Sequence, residues 1–169
     1  AWAQGRDAGA QMVALTEMFI TGYQTQDLVL KPAFVADAMR AVQALAEKIK
    51  DGPALGVGAP CLKDGALYNA YYVLQDGKIA ATVLKHELPN SDVFDEKRVF
   101  ASAPPQGPCR VGPLRIGIPI CEDAWHAEVC ETLAESGAQI LLVPNGSPYH
   151  RGKPEVRTNL MVYRVVDTG

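Results

Sequence analysis

Three residues with chemically useful side chains stand where an apolar run of the sequence ends. Glu17 comes just after the run QMVAL, Lys85 follows IAATVL, and Cys121 follows IGIPI. Since ligand sites in α/β proteins gather at the carboxyl ends of strands, we expect the three side chains to lie together there. A thiol becomes a nucleophile when a neighbour accepts its proton and a cation holds the thiolate, and a carboxylate and an ammonium supply these two functions. On position alone, an unreactive core cysteine with a solvated glutamate and lysine is the commoner arrangement.

The residues around these positions narrow the interpretation. Glu17 lies in LTEMFITGY, Lys85 opens KHELPNSDVFDEKRVF, Cys121 lies in GIPICEDAW, and residues 143–153 read VPNGSPYHRGK. These four strings, in this order, resemble the nitrilase superfamily, and more narrowly the glutaminase domain of glutamine-dependent NAD synthetases. The resemblance runs from about Met12 to the end of the chain. Because three of the four motifs are long, their occurrence in this order is a specific signal.

The resemblance implies a role for individual residues. Cys121 matches the nucleophile, Glu17 the general base, and Lys85 the lysine that stabilises the tetrahedral intermediate. Glu96 matches a second glutamate that braces this lysine, and the backbone N–H of Glu122 would complete an oxyanion hole with the lysine. The residues that match the glutamine pocket or its border are Tyr23, Glu96, Glu122, Trp125, Ser147 and Lys153. Such a set fits the chemistry, because a zwitterionic substrate needs an anion for its ammonium and a cation or hydroxyl for its carboxylate.

The chain departs from the family pattern at two positions. Thr16 stands where the family usually has a proline before the glutamate, which alters the turn and keeps the carboxylate. Ser91 replaces the tyrosine of the family's L-P-N-Y segment. Since that tyrosine lies near the substrate in the family, the replacement bears on the fit of glutamine or on the coupling of the site to a partner domain.

The elements that must position these residues are predicted from apolar runs, helical periodicity and turn signals. Asp76-Gly77 is a strong hairpin signal. Residues 85–110 carry few regular signals, and a loop of this length in a compact domain is usually functional or disordered. The predicted strands are 11–15, 54–59, 67–74, 78–84, 114–120 and 138–143. Residues 1–9 are predicted to be the end of a helix. Further helices are predicted at 31–50, 128–136 and 155–166.

Strands that alternate with helices favour an α/β layered architecture, and the hairpin adds antiparallel pairing, so the sheets should be mixed. The resemblance implies a nitrilase-like α-β-β-α sandwich, with residues 1–169 as part of a single domain. Its opening strand and its last strands would fall before Ala1 and after Gly169, so we expect the domain to be incomplete at both ends. The sequence contains neither an S-G-G-x-D-S loop nor a Walker A motif. An ATP-dependent synthetase domain, with the ATP and Mg that it would use, is therefore expected outside this chain.

Composition excludes several classes of function. Hydrophobic residues make up 48% and charged residues 21% of the 169, and the net charge is −3. This balance is typical of a soluble globular domain. It offers no basic patch for nucleic acid or for an anionic membrane. No apolar run is long enough to span a bilayer, and we expect a cytoplasmic location.

The remaining candidate site residues favour packing over chemistry. The four cysteines form no C-x-x-C pair, which favours reduced thiols, with Cys61, Cys109 and Cys130 as packing residues. No helix opens after Gly56 and Gly58, so they make no dinucleotide fingerprint. The three histidines, His86, His126 and His150, lack metal-like spacing. We therefore expect no metal and no cofactor in this domain, although His150 borders the loop that would touch the substrate.

The favoured hypothesis is a glutamine amidohydrolase domain. L-Glutamine would lose its side-chain ammonia through a Cys121 thioester, and a synthetase domain of the same polypeptide would use the ammonia to amidate the adenylate of deamido-NAD. Family members usually pair with copies of themselves, so a homo-oligomer is expected. Two alternatives stay open: a free-standing hydrolase of another amide or nitrile, and a non-catalytic interaction module.

Overall fold

Two sheets face each other between two layers of helix in the computed structural model, which describes residues 1–91 and 93–169. Asp92, part of the second motif, lies outside the described residues. The helices are α1 (Trp2–Asp7), α2 (Pro32–Ala46), α3 (Glu96–Val99), α4 (Ala127–Glu135) and α5 (Lys153–Thr168), with 3-10 helices at Gln26–Leu30 and Cys121–Trp125. The strands are β1 (Met12–Ala14), β2 (Ala54–Lys63), β3 (Ala66–Gln75), β4 (Lys78–Leu84), β5 (Cys109–Val111), β6 (Leu114–Gly117) and β7 (Ile140–Leu141).

Both sheets mix parallel and antiparallel pairs, as predicted. The first sheet has the order β1-β2-β3-β4, with β1 parallel to β2 and the other pairs antiparallel. In the second sheet, of order β5-β6-β7, β6 pairs antiparallel with β5 and parallel with β7. The predicted hairpin turn is confirmed, because Asp76 and Gly77 both adopt positive φ angles, of 54° and 78°, which suit a two-residue hairpin turn.

The layers follow from where apolar side chains are buried. Between the sheets, Tyr71 and Val73 of β3 pack in one cluster with Ile116 of β6 and the following Ile118 and Ile120. On the other face of the first sheet, α2 contributes Val42 and Ala46 to a cluster with Leu55, Val57 and Ala59 of β2. Helix α4 buries Val129, Cys130 and Leu133 against the second sheet. The order is α-β-β-α, which confirms the predicted sandwich.

Several element boundaries differ from the sequence prediction. β2 continues to Lys63 because a second two-residue turn, Asp64-Gly65, joins it directly to β3. The strand predicted at 114–120 stops at Gly117, two residues before Pro119, which has no N–H to donate to a neighbouring strand. The strand predicted at 138–143 pairs only at Ile140–Leu141. The predicted loop at 85–110 contains α3 and the first two residues of β5. Among the described residues, no helix is long and apolar enough to cross a membrane.

Candidate active site

The loop that carries Glu17 is held against strand β2. Gly58 N–H donates to Thr16 O at 3.2 Å, and Ile20 N–H donates to Gly58 O at 3.1 Å. A Cβ atom at Gly58 would lie 2.2 Å from Met18 N, so only glycine allows the two backbones to approach this closely. The crossing fixes the backbone on both sides of Glu17. Gly58 therefore positions a site residue. The sequence alone indicated only that this glycine does not belong to a dinucleotide-binding motif.

Lys85 and Cys121 enter from the two different sheets. Lys85 comes directly after β4, and its N–H donates to Asn69 O of the neighbouring β3 at 2.9 Å. Cys121 opens a 3-10 helix after the strand region of the second sheet, and its N–H donates to Pro144 O at 3.0 Å. Its φ angle is 50°, a left-handed value that residues other than glycine rarely adopt. Such a conformation in a non-glycine residue is common where a side chain is aimed at a functional site.

The structure brings Glu17, Lys85 and Glu96 into one buried cluster. Lys85 Nζ donates to Glu17 Oε1 at 2.7 Å and to Glu96 Oε1 at 2.8 Å. The side chains of Lys85 and Glu17 are 0% exposed and that of Glu96 is 6% exposed. Tyr23 donates its hydroxyl proton to the same Oε1 of Glu96. The carboxylate that the resemblance implies as a brace for the lysine is therefore in direct contact with it.

Electrostatics keeps Lys85 charged in this buried position. Burial by itself lowers the pKa of the Lys85 ammonium, but the charges of Glu17 and Glu96 outweigh it, and the net pKa lies above the ordinary range. Burial raises the pKa of Glu96, while the ammonium of Lys85 and the hydroxyl of Tyr23 oppose that rise. A lysine has three N–H donors, and two are used by the carboxylates, so one is left for a substrate oxygen.

Cys121 lies beside Glu17 with its proton retained. Burial raises the pKa of the Cys121 thiol to about 12, and the negative charge of Glu17 adds to the rise. Lys85 and the N–H of Gly146 favour the thiolate but do not outweigh these effects. In the resting site these effects favour the protonated thiol over a thiolate held by Lys85, because the lysine's charge is already shared by two carboxylates. The geometry favours proton transfer to Glu17 during attack on a substrate.

The residues expected in a substrate pocket form two groups. Tyr23 is next to Glu96, and Ser147 follows Gly146, whose N–H donates to Glu17 Oε2 at 2.8 Å. In the second group, Lys153 Nζ lies 5.9 Å from the centre of the Trp125 ring, a cation–π contact. Glu122 Oε1, also in this group, is 3.8 Å from His126 Nε2. A cavity of about 350 Å³ is lined by Phe94, Pro148, His150 and Lys153, among others.

Asp123 is a site residue that the sequence analysis missed. Its buried carboxylate accepts hydrogen bonds from the backbone N–H groups of His86 at 3.1 Å, Glu87 at 2.6 Å and Ile120 at 2.8 Å. Burial raises the pKa of Asp123 to about 6, against the opposing effect of these N–H donors. One side chain thus ties the segment after Lys85 to the residue before Cys121. His86 and Glu87 lie 37 and 36 residues before Asp123, so no local sequence pattern could indicate these two contacts.

Asn69 was also missed, although its sequence context carries a signal. It is a fully buried polar residue inside the apolar strand segment LYNAYYV. Its Nδ2 donates to Glu17 Oε1 at 2.8 Å. Buried polar side chains need partners, so an amide within an apolar strand indicates a polar site nearby.

The described residues contain no group of three or more histidine, cysteine or acidic side chains that could hold a metal ion. All four cysteines are free thiols. Cys61 and Cys130 are buried among apolar residues, whereas Cys109 is half-buried and contacts Ile116 O through its thiol at 3.6 Å. The ionisable side chains that the structure brings together at the site are those of Glu17, Lys85, Glu96 and Cys121.

The fold and the buried Glu–Lys–Glu cluster beside a cysteine define the class of protein, and comparison with known sequences agrees. Residues 2–164 match the carbon–nitrogen hydrolase family. The chain belongs to the carbon–nitrogen hydrolase family, which confirms the resemblance to the nitrilase superfamily.

Within this family, the chain is similar to glutamine-dependent NAD(+) synthetases in both sequence and structure. The chain is 57% identical over 169 residues to the glutamine-dependent NAD(+) synthetase of Rhodobacter capsulatus, covering 100% of this chain and 31% of the relative. It is 40% identical over 162 residues to that of Xanthomonas campestris pv. campestris, covering 95% of this chain and 29% of the relative. The glutamine-dependent NAD+ synthetase structure from Acinetobacter baumannii, in complex with ADP, superposes with a TM-score of 0.88 at 31% identity, covering 94% of this chain and 30% of that one.

A more distant structure shares the fold alone. The crystal structure of an amidase from Nesterenkonia sp. matches with a TM-score of 0.78 at 23% identity, covering 99% of this chain and 63% of that one. Against the two curated NAD(+) synthetases, by contrast, the chain spans less than a third of their length.

Proposed function

We propose that this chain is the glutamine-hydrolysing part of a glutamine-dependent NAD synthetase, with Cys121 as nucleophile. The observation that carries the proposal is the buried contact of Lys85 with Glu17 and Glu96, 2.7 and 2.8 Å long, next to the Cys121 thiol. The similarity to proteins named glutamine-dependent NAD(+) synthetase supports glutamine as the amide.

The reaction begins with attack of Cys121 Sγ on the side-chain carbonyl carbon of L-glutamine. Glu17 takes the thiol proton as the carbon–sulfur bond forms, and the carbonyl oxygen becomes an oxyanion. The free N–H of the Lys85 ammonium and the backbone N–H of Glu122 stabilise this oxyanion. Glu17 then passes the proton to the departing nitrogen, the carbon–nitrogen bond breaks, and ammonia leaves. The product on the enzyme is a Cys121 thioester of glutamate.

Hydrolysis of the thioester repeats these steps with water. Glu17 takes a proton from the attacking water, a second oxyanion forms, and the carbon–sulfur bond breaks to release glutamate. The thiol regains its proton from Glu17. Glu96 touches no reacting atom in this scheme, and it holds Lys85 in place together with Tyr23.

The pocket residues supply opposite charges for the two ends of glutamine. In the proposal, Lys153 and Ser147 hold the α-carboxylate, and Glu122 holds the α-ammonium. Trp125 provides an apolar wall for the methylene groups, and Tyr23 borders the reacting end. Ser91, in place of the family tyrosine, leaves more room at the pocket's edge.

The ammonia is proposed to serve a synthetase domain of the same polypeptide, which would use ATP and Mg to amidate deamido-NAD. This domain itself needs no cofactor, because the thiol, carboxylate and ammonium supply all the chemistry of the scheme. A cytoplasmic homo-oligomer remains our expectation for the assembled protein.

A glutaminase assay on the full-length protein tests the proposal. Wild type should release glutamate from L-glutamine, Cys121→Ala should lose this activity, and both should still form NAD from deamido-NAD with ammonium as the nitrogen source. Cys61→Ala is the matched control, since Cys61 packs in the apolar core on the α2 side of the first sheet. Glutaminase activity retained by Cys121→Ala, or a wild type that hydrolyses only simple aliphatic amides, would overturn the proposal.

A further inference from the structure

We propose that Asn69 is a positioning residue that turns one oxygen of Glu17 toward the Cys121 thiol and keeps it there through the reaction. The proposal rests on the proposed function for the identity of the substrate, but the chemistry it concerns is the acylation of Cys121 by any reactive acyl group. It assigns a task to a buried amide side chain that contacts both carboxylates.

The hydrogen bonds around Glu17 distinguish its two oxygens. Oε1 accepts from Asn69 Nδ2 at 2.8 Å and from Lys85 Nζ at 2.7 Å. Oε2 accepts from Gly146 N–H at 2.8 Å. Since Oε1 already has two donors, the oxygen with capacity for the thiol proton is Oε2. Asn69 thereby helps to select which oxygen acts as the base.

Asn69 complements Lys85 because it stays in place when the lysine moves. An ammonium on a flexible four-carbon stem can turn toward a developing oxyanion, which weakens its contact with Glu17. The asparagine side chain is short and lies on β3, one of the two inner strands of the first sheet. Its other carboxylate contacts, to Glu96, are longer, at 3.4 and 3.5 Å. It also adds no charge to the cluster. Glu17 therefore keeps one fixed donor throughout the reaction.

The side-chain oxygen of Asn69 indicates that the residue contributes as a hydrogen-bond donor. Within the described residues, Asn69 Oδ1 is buried and has no hydrogen-bond partner. An unpaired buried oxygen is destabilising, a cost that an apolar residue of similar volume would not carry. The reverse orientation of the amide would place its oxygen against two carboxylates, so the N–H groups must face Glu17. The main-chain oxygen of Asn69 holds the N–H of Lys85 as well, so one residue aligns both partners.

The test compares Asn69→Leu and Asn69→Asp with wild type in the full-length protein. Leucine removes the donors at similar volume, and aspartate replaces them with oxygens. Loss of a hydrogen bond to a charged group is expected to lower kcat for glutamine by about tenfold or more, with KM changed by less than about twofold. Asn69→Asp should lower kcat further than Asn69→Leu, because it places a carboxylate against Glu17. A packing defect alone would give the opposite order, since aspartate keeps the volume and shape of asparagine.

Acylation of Cys121 by p-nitrophenyl acetate gives a second readout that needs no glutamine recognition. Asn69→Leu should slow it about tenfold, and Asn69→Asp should slow it further. Asn159→Asp, which adds the same charge on the exposed face of α5, is the matched control and should behave as wild type. Wild-type acylation rates in Asn69→Leu and Asn69→Asp would overturn the role of Asn69. A wild type that is acylated normally but releases no glutamate from glutamine would overturn the proposed function alone.

Discussion

The charge of Glu17 acts on Cys121 in two opposite ways. It gives the thiol a base within reach, and it also raises the pKa of that thiol, together with burial, to about 12. At neutral pH the resting cysteine is therefore protonated, and only a small fraction is thiolate. In the proposed mechanism, Cys121 therefore stays unreactive until a carbonyl carbon is placed against the sulfur.

Glu17→Gln should separate these two effects. Turnover should fall by about a hundredfold or more because the general base is lost. Alkylation of Cys121 by iodoacetamide should nevertheless be faster than in wild type at pH 8, because removing a negative charge favours the thiolate and frees Lys85 to stabilise it. In wild type the alkylation rate should rise about tenfold per pH unit up to the alkaline range. Mass spectrometry of the Cys121 peptide measures both rates.

The matched control for this experiment is Glu47→Gln, a change of the same kind on the exposed surface just after α2. It should leave turnover and alkylation at wild-type values. Slower alkylation of Cys121 in Glu17→Gln than in wild type would contradict the account of the thiol's raised pKa.

The candidate site could be predicted from sequence only where a residue belongs to a local pattern. Glu17, Lys85 and Cys121 each follow an apolar run and lie in a motif, so their shared location could be foreseen. Asp123 and Asn69 act through partners far along the chain, such as the 52 residues between Asn69 and Glu17. The state of the Cys121 thiol depends on burial and on how two carboxylates share one ammonium, which only three-dimensional geometry shows.

At the scale of elements, the site depends on a close crossing of two backbones at Gly58. The Glu17 loop passes so near β2 that an added Cβ would lie 2.2 Å from Met18 N and 2.7 Å from the carbonyl carbon of Glu17. Both contacts are with backbone atoms, which cannot rotate away as a flexible side chain would. A methyl group there must displace the loop that carries the base.

Gly58→Ala is therefore expected to lower both stability and activity. Overpacking of this kind costs about 1–3 kcal/mol of the free energy of unfolding. The displaced Glu17 should lower kcat by about tenfold or more, since small misplacements of a catalytic group are costly. Thermal unfolding and a glutaminase assay measure the two effects. Gly107→Ala, with nothing within 4 Å of the added Cβ, should match wild type; equal behaviour of the two variants would contradict the importance of the crossing.

Elements whose ends are set by turn residues could be predicted closely. The strands on either side of Asp76-Gly77 agree with the prediction to within a residue or so, because a two-residue hairpin fixes the pairing register. The equivalent turn at Asp64-Gly65 explains why β2 extends beyond the predicted end at residue 59. The strands of the second sheet were predicted too long, because an apolar run shows burial and does not show how far hydrogen-bonded pairing extends.

At the scale of the whole molecule, α5 is attached to the sandwich by few contacts. No residue of this helix is buried within the described chain, and several of its apolar side chains are exposed, including Val162, Val165 and Val166. Arg164 makes the specific attachment, donating to Ala124 O at 3.1 Å and to Trp125 O at 3.4 Å. Because Lys153 lies on the same helix, we expect Arg164 to help hold Lys153 in place relative to the cluster of Glu17, Lys85 and Glu96.

Arg164→Ala should weaken substrate binding more than chemistry. We expect KM for glutamine to rise by about three- to tenfold, as Lys153 loses its fixed place beside Trp125, while kcat changes by less than about twofold. Steady-state kinetics on the full-length protein measures both. Arg110→Ala, an exposed arginine on β5, is the control. A large loss of kcat with unchanged KM would contradict this role of α5.

The α/β class could be predicted because strands and helices leave local periodic signals, of two residues and about 3.6 residues respectively. The four-layer order was implied by the family resemblance. The pairing of the two sheets around Tyr71 and Ile116, which places Cys121 opposite Glu17, required contacts between distant segments. The sequence motifs supplied that arrangement only through the family resemblance.

The positions of the two tryptophans give the molecule a built-in optical reporter. Trp125 contacts Lys153 in the proposed pocket, whereas Trp2 lies in α1, with its indole N–H donating to Pro53 O at 2.8 Å just before β2 begins. Trp2 is thus at the opposite end of the strands from the site. In a Trp2→Phe variant all tryptophan fluorescence of these 169 residues would come from the pocket. Its emission should change as glutamine draws Lys153 from the indole ring. With Cys121→Ala added to prevent turnover, substrate binding could then be followed in real time.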